Sequence, residues 1–161
     1  MNRDQTAIAD ALHVQGWHML KQNRSAVMAL SGSGKVAIIR PNRSIEILKD
    51  GGKVEHFCYV QAYKGRGWCD LAVSIATAAA KTKLTSEQFG AVLHAIGGGD
   101  GRFTRPGWRN FYESDGVRYY PSELVSGGYM AHGKRIFTYR VTPKGAAEVG
   151  CAGCLDKQEP A

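Results

Sequence analysis

The chain has 161 residues, 43% of them hydrophobic and 22% charged, a balance that excludes wholesale disorder and is ordinary for a soluble globular protein. Its 21 Lys and Arg outnumber 14 Asp and Glu, for a net charge of +7 and a pI near 9.4. The excess is spread over both halves, and a polyanion is the natural partner because neutralised phosphates release condensed counterions. Apolar runs are short and broken by Gly, Lys or His, and Met1-Asn2-Arg3-Asp4 leads into an amphipathic pattern rather than a signal-peptide core, so a cytoplasmic protein is expected.

Ile8 and Leu12 with their flanking alanines predict a first helix over 4–15, ended by Gly16, with Trp17 packing back on it. Alternation then predicts strands over 25–30 and 36–39 around the turn Ser31-Gly32-Ser33-Gly34. Gly32-Ser33-Gly34-Lys35 is not the end of a phosphate-binding P-loop, since Val36 follows Lys35 and no glycine stands at the required upstream spacing. Two more strands, around 45–48 and 54–61, complete a meander of about four strands. Trp68, Leu71, Ala72, Ile75, Ala76 and Ala79 make the apolar stripe of a helix over 68–81, fit to cover the sheet. The glycine-rich loop before it carries Lys64 and Arg66, and it reads either as a phosphate cradle at a helix N-terminus or as a plain turn.

Thr85 and Gln88 form a capping-box pattern at the start of a helix over 85–96, whose face is Phe89, Val92, Leu93 and Ile96, and Gly97-Gly98-Gly99 ends it. A loop with Arg102 and Arg105 leads to a short helix over 108–112 that includes Arg109. The stretch before the next helix is acidic at Glu113 and Asp115 and then offers Arg118, Tyr119 and Tyr120. Pro121 opens a third helix of this half, stopped by Gly127-Gly128. Residues 129–131 and 136–141 form a hairpin around His132-Gly133-Lys134-Arg135, and a last helix runs from Thr142 or Pro143 to Val149.

Leu124-Val125-Ser126-Gly127-Gly128-Tyr129-Met130, followed by Tyr139-Arg140-Val141-Thr142-Pro143-Lys144-Gly145, resembles the end of bacterial winged-helix regulators of the multiple-antibiotic-resistance type. Arg109-Asn110-Phe111 and the Tyr-Arg-Val-Thr ending also resemble small winged-helix-like proteins carried by bacteriophages. The residue pattern gives an α+β chain with a small antiparallel sheet module flanked by helices over 1–82 and a flexible tail over 151–161, and the resemblance implies a winged helix-turn-helix over 83–150. The helix-strands-helix order of the first module vaguely resembles double-stranded-RNA-binding domains as well. A recognition helix that reads the major groove usually presents several Arg, Lys, Asn or Gln, whereas this one begins with Arg118, Tyr119, Tyr120 and Ser122. The wing, with His132, Lys134 and Arg135, suits contact with the phosphate backbone or the minor groove.

Cys151-Ala-Gly-Cys154 is half of a zinc-site spacing, which Cys58 with Cys69 or His56 would complete only if the tail folded back. The polar residues after Leu155 read instead as a frayed end, so four thiols and no cofactor are expected. No catalytic constellation stands out, and an enzyme is not expected. Two functions follow. The first is binding of nucleic acid, double-stranded DNA above all, as a phage or mobile-element protein regulating transcription, with the chain a candidate homodimer. Its expected contacts are Lys64, Arg66, Arg102, Arg105, Arg109, Arg118, Lys134 and Arg135. The second is a protein-binding inhibitor of a host defence system, in the manner of an anti-CRISPR protein, with surface tyrosines as anchors.

Overall fold

The structure, a computed structural model, describes residues 2–49, 52–60, 67–96, 103–104, 110–113 and 121–155. Helix α1, Arg3–Val14, begins with a reciprocal cap: the Asn2 side chain accepts from the Gln5 N–H, and the Gln5 side chain accepts from that of Asn2. Ile8, Ala9 and Leu12 bury one face of the helix. The chain turns at Gly16, and Trp17 is buried with its indole N–H donating to Thr77 Oγ1 at 3.3 Å.

Five strands follow as an antiparallel meander: β1 His18–Gln22, β2 Val27–Leu30, β3 Val36–Ile39, β4 Ser44–Lys49 and β5 Lys53–Val60. A sixth, β6 Phe103–Thr104, adds parallel to β5 at the edge. The sheet therefore exceeds the expected four strands, and the missed β1 explains the antiparallel shortfall. Four of its five residues are exposed, so no inside-outside alternation marks it in the sequence. Val27, Ala29, Ala37, Ile39, Ile45, Ile47 and Cys58 bury the inner face.

Helix α2, Trp68–Lys81, covers that face with Leu71, Ala72, Ile75, Ala76 and Ala79, as its apolar stripe predicts. Its C-terminal carbonyls are met by the β2–β3 turn: Ser33 Oγ donates to the Ala80 carbonyl at 3.0 Å and Lys35 Nζ to that of Ala79 at 3.3 Å. Lys35 Nζ also pairs with Glu55 Oε2 at 2.8 Å. Glu55 is the extra residue of a bulge in β5, because Ile47 pairs with His56 and Leu48 with Val54. His56 beside it is 8% exposed, 4.5 Å from the Phe89 ring, and its Nε2 has no hydrogen-bond partner among the described residues.

Helix α3, Ser86–Ala95, has the capping box expected of Thr85 and Gln88 and packs on β5. The second half holds a three-stranded sheet of order β7-β9-β8, from β7 Tyr112–Glu113, β8 Met130–His132 and β9 Thr138–Val141. Helices α4, Ser122–Ser126, and α5, Pro143–Glu148, flank the hairpin. The helix expected over 108–112 is corrected at its described end: Asn110 and Phe111 lie in no helix, and Tyr112 pairs with Tyr139 as strand. The second hairpin strand begins at Thr138 rather than Ile136, because the Thr138 hydroxyl closes a turn onto Arg135.

One continuous core runs through both halves. Cys151 and Cys154 belong to it, where the sequence reading expects fraying; residues 156–161 lie outside the described residues. The segment reaches the core through Gly150, whose carbonyl accepts from Ser74 Oγ at 2.6 Å. Gly150 has φ +79, and a β-carbon on it would collide with the Ser74 carbonyl. Glu148 adds a 2.8 Å bond from the Thr82 hydroxyl. No described helix is long and apolar enough to cross a membrane.

Replacing Gly150 with Ala combines left-handed strain with overpacking and should cost at least about 2 kcal/mol in urea unfolding, against about 1 kcal/mol for Ser74→Ala. Burial holds the His56 imidazole below its ordinary 6.5, outweighing the raising effect of Glu55. The unfolded chain thus binds the proton more tightly than the folded one, and stability should fall as pH drops below about 6.5. In His56→Leu, denaturant midpoints measured across that range should lose this acid limb.

Candidate nucleic-acid interface

The β8–β9 hairpin presents three cations, Lys134, Arg135 and Arg140, at exposed positions. Its exposed residues are His132, Lys134, Arg135, Ile136, Phe137 and Arg140. Lys134, Arg135 and Arg140 have no acidic partner among the described residues. Between the cations stand two apolar side chains, Ile136 at 82% exposure and Phe137 at 47%. Phe137 also adopts φ +61, a left-handed conformation that bulky side chains rarely accept.

The local chemistry fixes this shape. Thr138 is 5% exposed, and its hydroxyl accepts from the Arg135 N–H at 3.2 Å and donates to the Arg135 carbonyl at 2.6 Å. The Gly133 N–H closes the hairpin onto the Thr138 carbonyl at 2.7 Å. On the other edge of β9, Asn110 Oδ1 accepts from the Val141 N–H at 2.6 Å while its Nδ2 donates to the Val141 carbonyl at 2.9 Å. This side chain thus imitates one more residue of strand pairing beyond β7. A groove of about 390 Å³ lies along the hairpin, walled by Phe111, Tyr139 and His132 and rimmed by Lys134, Arg135 and Arg140.

The segment Thr142-Pro143-Lys144-Gly145 proves to be bracing. Thr142 caps α5 by accepting from the Gly145 N–H and donates to the Gly128 carbonyl. Lys144 Nζ donates to the Gly127 carbonyl at 2.6 Å and lies 4.6 Å from the centre of the Tyr129 ring. A β-carbon at Gly145 would strike the Tyr129 carbonyl, so only glycine lets α5 sit this close. Helix α4 has little to read bases with: its exposed residues are Ser122, Glu123 and Ser126, and Glu123 Oε2 accepts from Gln88 Nε2 at 2.7 Å.

Of the eight cationic residues expected to make contacts, the structure places Lys134 and Arg135 together on the hairpin. Lys64, Arg66, Arg102, Arg105, Arg109 and Arg118 lie outside the described residues, as do Tyr119 and Tyr120. Tyr112 is half-buried, its ring 6.4 Å from that of Tyr139. Arg140, Ile136 and Phe137 join the site without having been singled out. Arg140 was legible as an outward position of a strand, but Ile136 and Phe137 read as strand interior until Thr138 moves the boundary.

The cysteines do not form a centre: among the described residues no three His, Cys, Asp or Glu side chains gather as metal ligands. Burial pushes the Cys58 thiol up to about 12. Burial and then the Asp4 carboxylate push that of Cys69 up to about 11. Neither is a ready nucleophile at neutral pH. Protein-family models, characterised proteins and solved structures offer no match to this chain, so the residues themselves carry the functional argument.

Asn110→Ala should leave the Val141 N–H and carbonyl without partners and cost about 1–3 kcal/mol. Asn110→Asp keeps the acceptor for the N–H but sets a second oxygen against the carbonyl, so it should recover only part of the loss. Hydrogen exchange at the Val141 amide and unfolding midpoints check both.

Proposed function

We propose that the protein binds double-stranded DNA through the β8–β9 hairpin, acting as the wing of a winged helix-turn-helix that begins at α3. The observation that carries the reading is the exposed hairpin tip, where Lys134 and Arg135 lack acidic partners among the described residues and flank Ile136 and Phe137. The order of elements supports it: helix α3, strand β6 at the edge of the first sheet, strand β7, helix α4, then the hairpin, with β7 pairing onto β9. In this reading the cations contact phosphates, and Ile136 and Phe137 press against the groove wall or between base steps as apolar wedges. The small and acidic surface of α4 argues against base readout from that helix, so discrimination between sequences is weak. Regulation of transcription would then act through occupancy or DNA shape rather than through a strict operator sequence.

A second reading, a protein-binding inhibitor of host defence, draws on the outer face of the six-stranded sheet. There Val54 is 56% and Phe57 44% exposed, and Phe57 meets Tyr59 edge-on at 5.2 Å.

Fluorescence anisotropy with a short duplex from about 50 to 200 mM salt tests the first reading. Affinity should fall steeply with salt, and the slope of log K against log salt should lose about 0.9 for each of Lys134→Ala and Arg135→Ala. Phe137→Gly relieves the left-handed strain, so it should weaken binding without lowering the unfolding midpoint. Absence of binding at low salt, or indifference to both cation changes, overturns the proposal. A stoichiometric protein partner captured without nucleic acid would favour the second reading.

A further inference from the structure

A cavity of about 120 Å³ lies between the inner face of the sheet and helices α2 and α3, away from the hairpin. Its walls are Ile45 and Ile47 of β4, Ile75 of α2, and Phe89 and Leu93 of α3. Two polar side chains join this lining: Ser86, whose hydroxyl is taken up by the Glu55 carbonyl, and His56, 92% buried by its 8% exposure, whose Nε2 finds no hydrogen-bond partner among the described residues. Leaving a buried polar nitrogen unpaired is costly, and native interiors rarely do so without a reason. The local backbone is built to bring it there: the β5 bulge turns Glu55 and His56 inward together, and Ser86 at the start of α3 donates to the Glu55 carbonyl. Glu55 is held by Lys35, and its Oε2 stands 3.9 Å from His56 Nε2, beyond a direct hydrogen bond.

The mouth carries a second signal. Gly90 lines the cavity from within α3, where glycine costs about 1 kcal/mol relative to alanine. A β-carbon there would meet nothing within 4 Å, so packing does not demand glycine, and φ is not left-handed. What glycine does is keep the opening clear.

We propose that this cavity is a binding site for a small single-ring ligand with one hydroxyl, the ring filling the apolar walls and the hydroxyl bonding to His56 Nε2. The volume suits one ring: an apolar cavity of about 150 Å³ elsewhere accepts benzene. A hydroxyl both donates and accepts, so it satisfies either tautomer of a neutral imidazole. Burial favours that neutral form, and an anionic ligand would also face the Glu55 carboxylate, so the ligand is uncharged. Cys58, also in the wall, has a buried thiol with its proton held firmly, and it contributes packing rather than attack.

The test uses the full chain and two near-isosteric probes, phenol and toluene, followed by amide chemical-shift titration. Phenol should shift the amides of Ile47, His56, Phe89 and Gly90 saturably at millimolar concentrations, and toluene should bind about 3–10-fold more weakly. Gly90→Leu should abolish both while the unfolding midpoint stays level or rises, which separates a blocked mouth from a damaged fold. His56→Phe should keep toluene binding and lose the preference for phenol. No saturable binding of either probe, binding unaffected by Gly90→Leu, or toluene binding as tightly as phenol overturns the proposal. None of these outcomes bears on DNA binding by the hairpin.

Discussion

Helix α2 is enclosed on nearly every side, and the rest of the molecule is arranged to enclose it. Trp68, Leu71, Ala72, Val73, Ile75, Ala76, Ala79 and Ala80 are all buried, too many for a helix with one wet face. The sheet takes one side, α1 another, and the turn at Gly150 a third. The alanines make this possible, because a flat helix surface lets several backbones approach at once. Gly150 completes the same logic from the other partner, since any side chain there would push the C-terminal segment off Ser74.

A helix buried to its end needs its last carbonyls satisfied, and a chain of consequences runs from that need. Ser33 and Lys35 of the β2–β3 turn supply the donors, which explains the polar turn without any phosphate chemistry. Bringing Lys35 inward, to 18% side-chain exposure, requires a nearby anion, and Glu55 meets it at 13%. Glu55 comes inward through the β5 bulge, and the bulge carries His56 with it. Of the two buried polar atoms here without a hydrogen bond among the described residues, Glu55 Oε2 has its ion pair with Lys35, which leaves His56 Nε2 facing the space between sheet and helices. The cavity is thus a product of how the helix end is satisfied, not an isolated gap in packing.

Elements with one buried face were legible in the sequence. Strand β3 and helix α2 have the bounds that alternation and the apolar stripe predict, and the Thr85–Gln88 capping box marks the start of α3. Strand β1 was not legible, because an edge strand with exposed residues loses the alternation that defines it. Strand β7 was not, because two residues held partly by the Asn110 side chain leave no periodic trace. Burial of Cys151 had no local signal either, since the residues beyond Leu155 are polar and the contact that buries it lies on α2, far back in the chain. At the hairpin, charge was legible and shape was not: Lys134 and Arg135 declare themselves, but only the Thr138 turn shows that Ile136 and Phe137 stand outside the strand. His56 could be noticed only as one ligand of a hypothetical metal site, because the bulge that turns it inward is a register effect.

The hairpin tip gathers three unfavourable features within four residues: neighbouring like charges, exposed apolar surface, and a phenylalanine at positive φ. Most other positive-φ positions among the described residues are glycines. The remaining exception, Arg43, lies over the Trp68 ring at 5.7 Å, and its carbonyl accepts from the Val60 N–H. At Phe137 the side chain stays half in solvent, and a strained, exposed aromatic costs on the order of 1–3 kcal/mol that a glycine would avoid. Thr138 holds the turn in this form with both of its hydroxyl bonds, so the shape is enforced rather than incidental. A partner that relieves the whole set must neutralise Lys134 and Arg135 and cover Ile136 and Phe137 together. A DNA groove does both at once, with phosphates at its rim and sugar and base surfaces in its wall. A purely apolar protein surface would bury Ile136 and Phe137 only by desolvating two unmatched cations beside them, and that penalty is the reason nucleic acid is proposed as the partner.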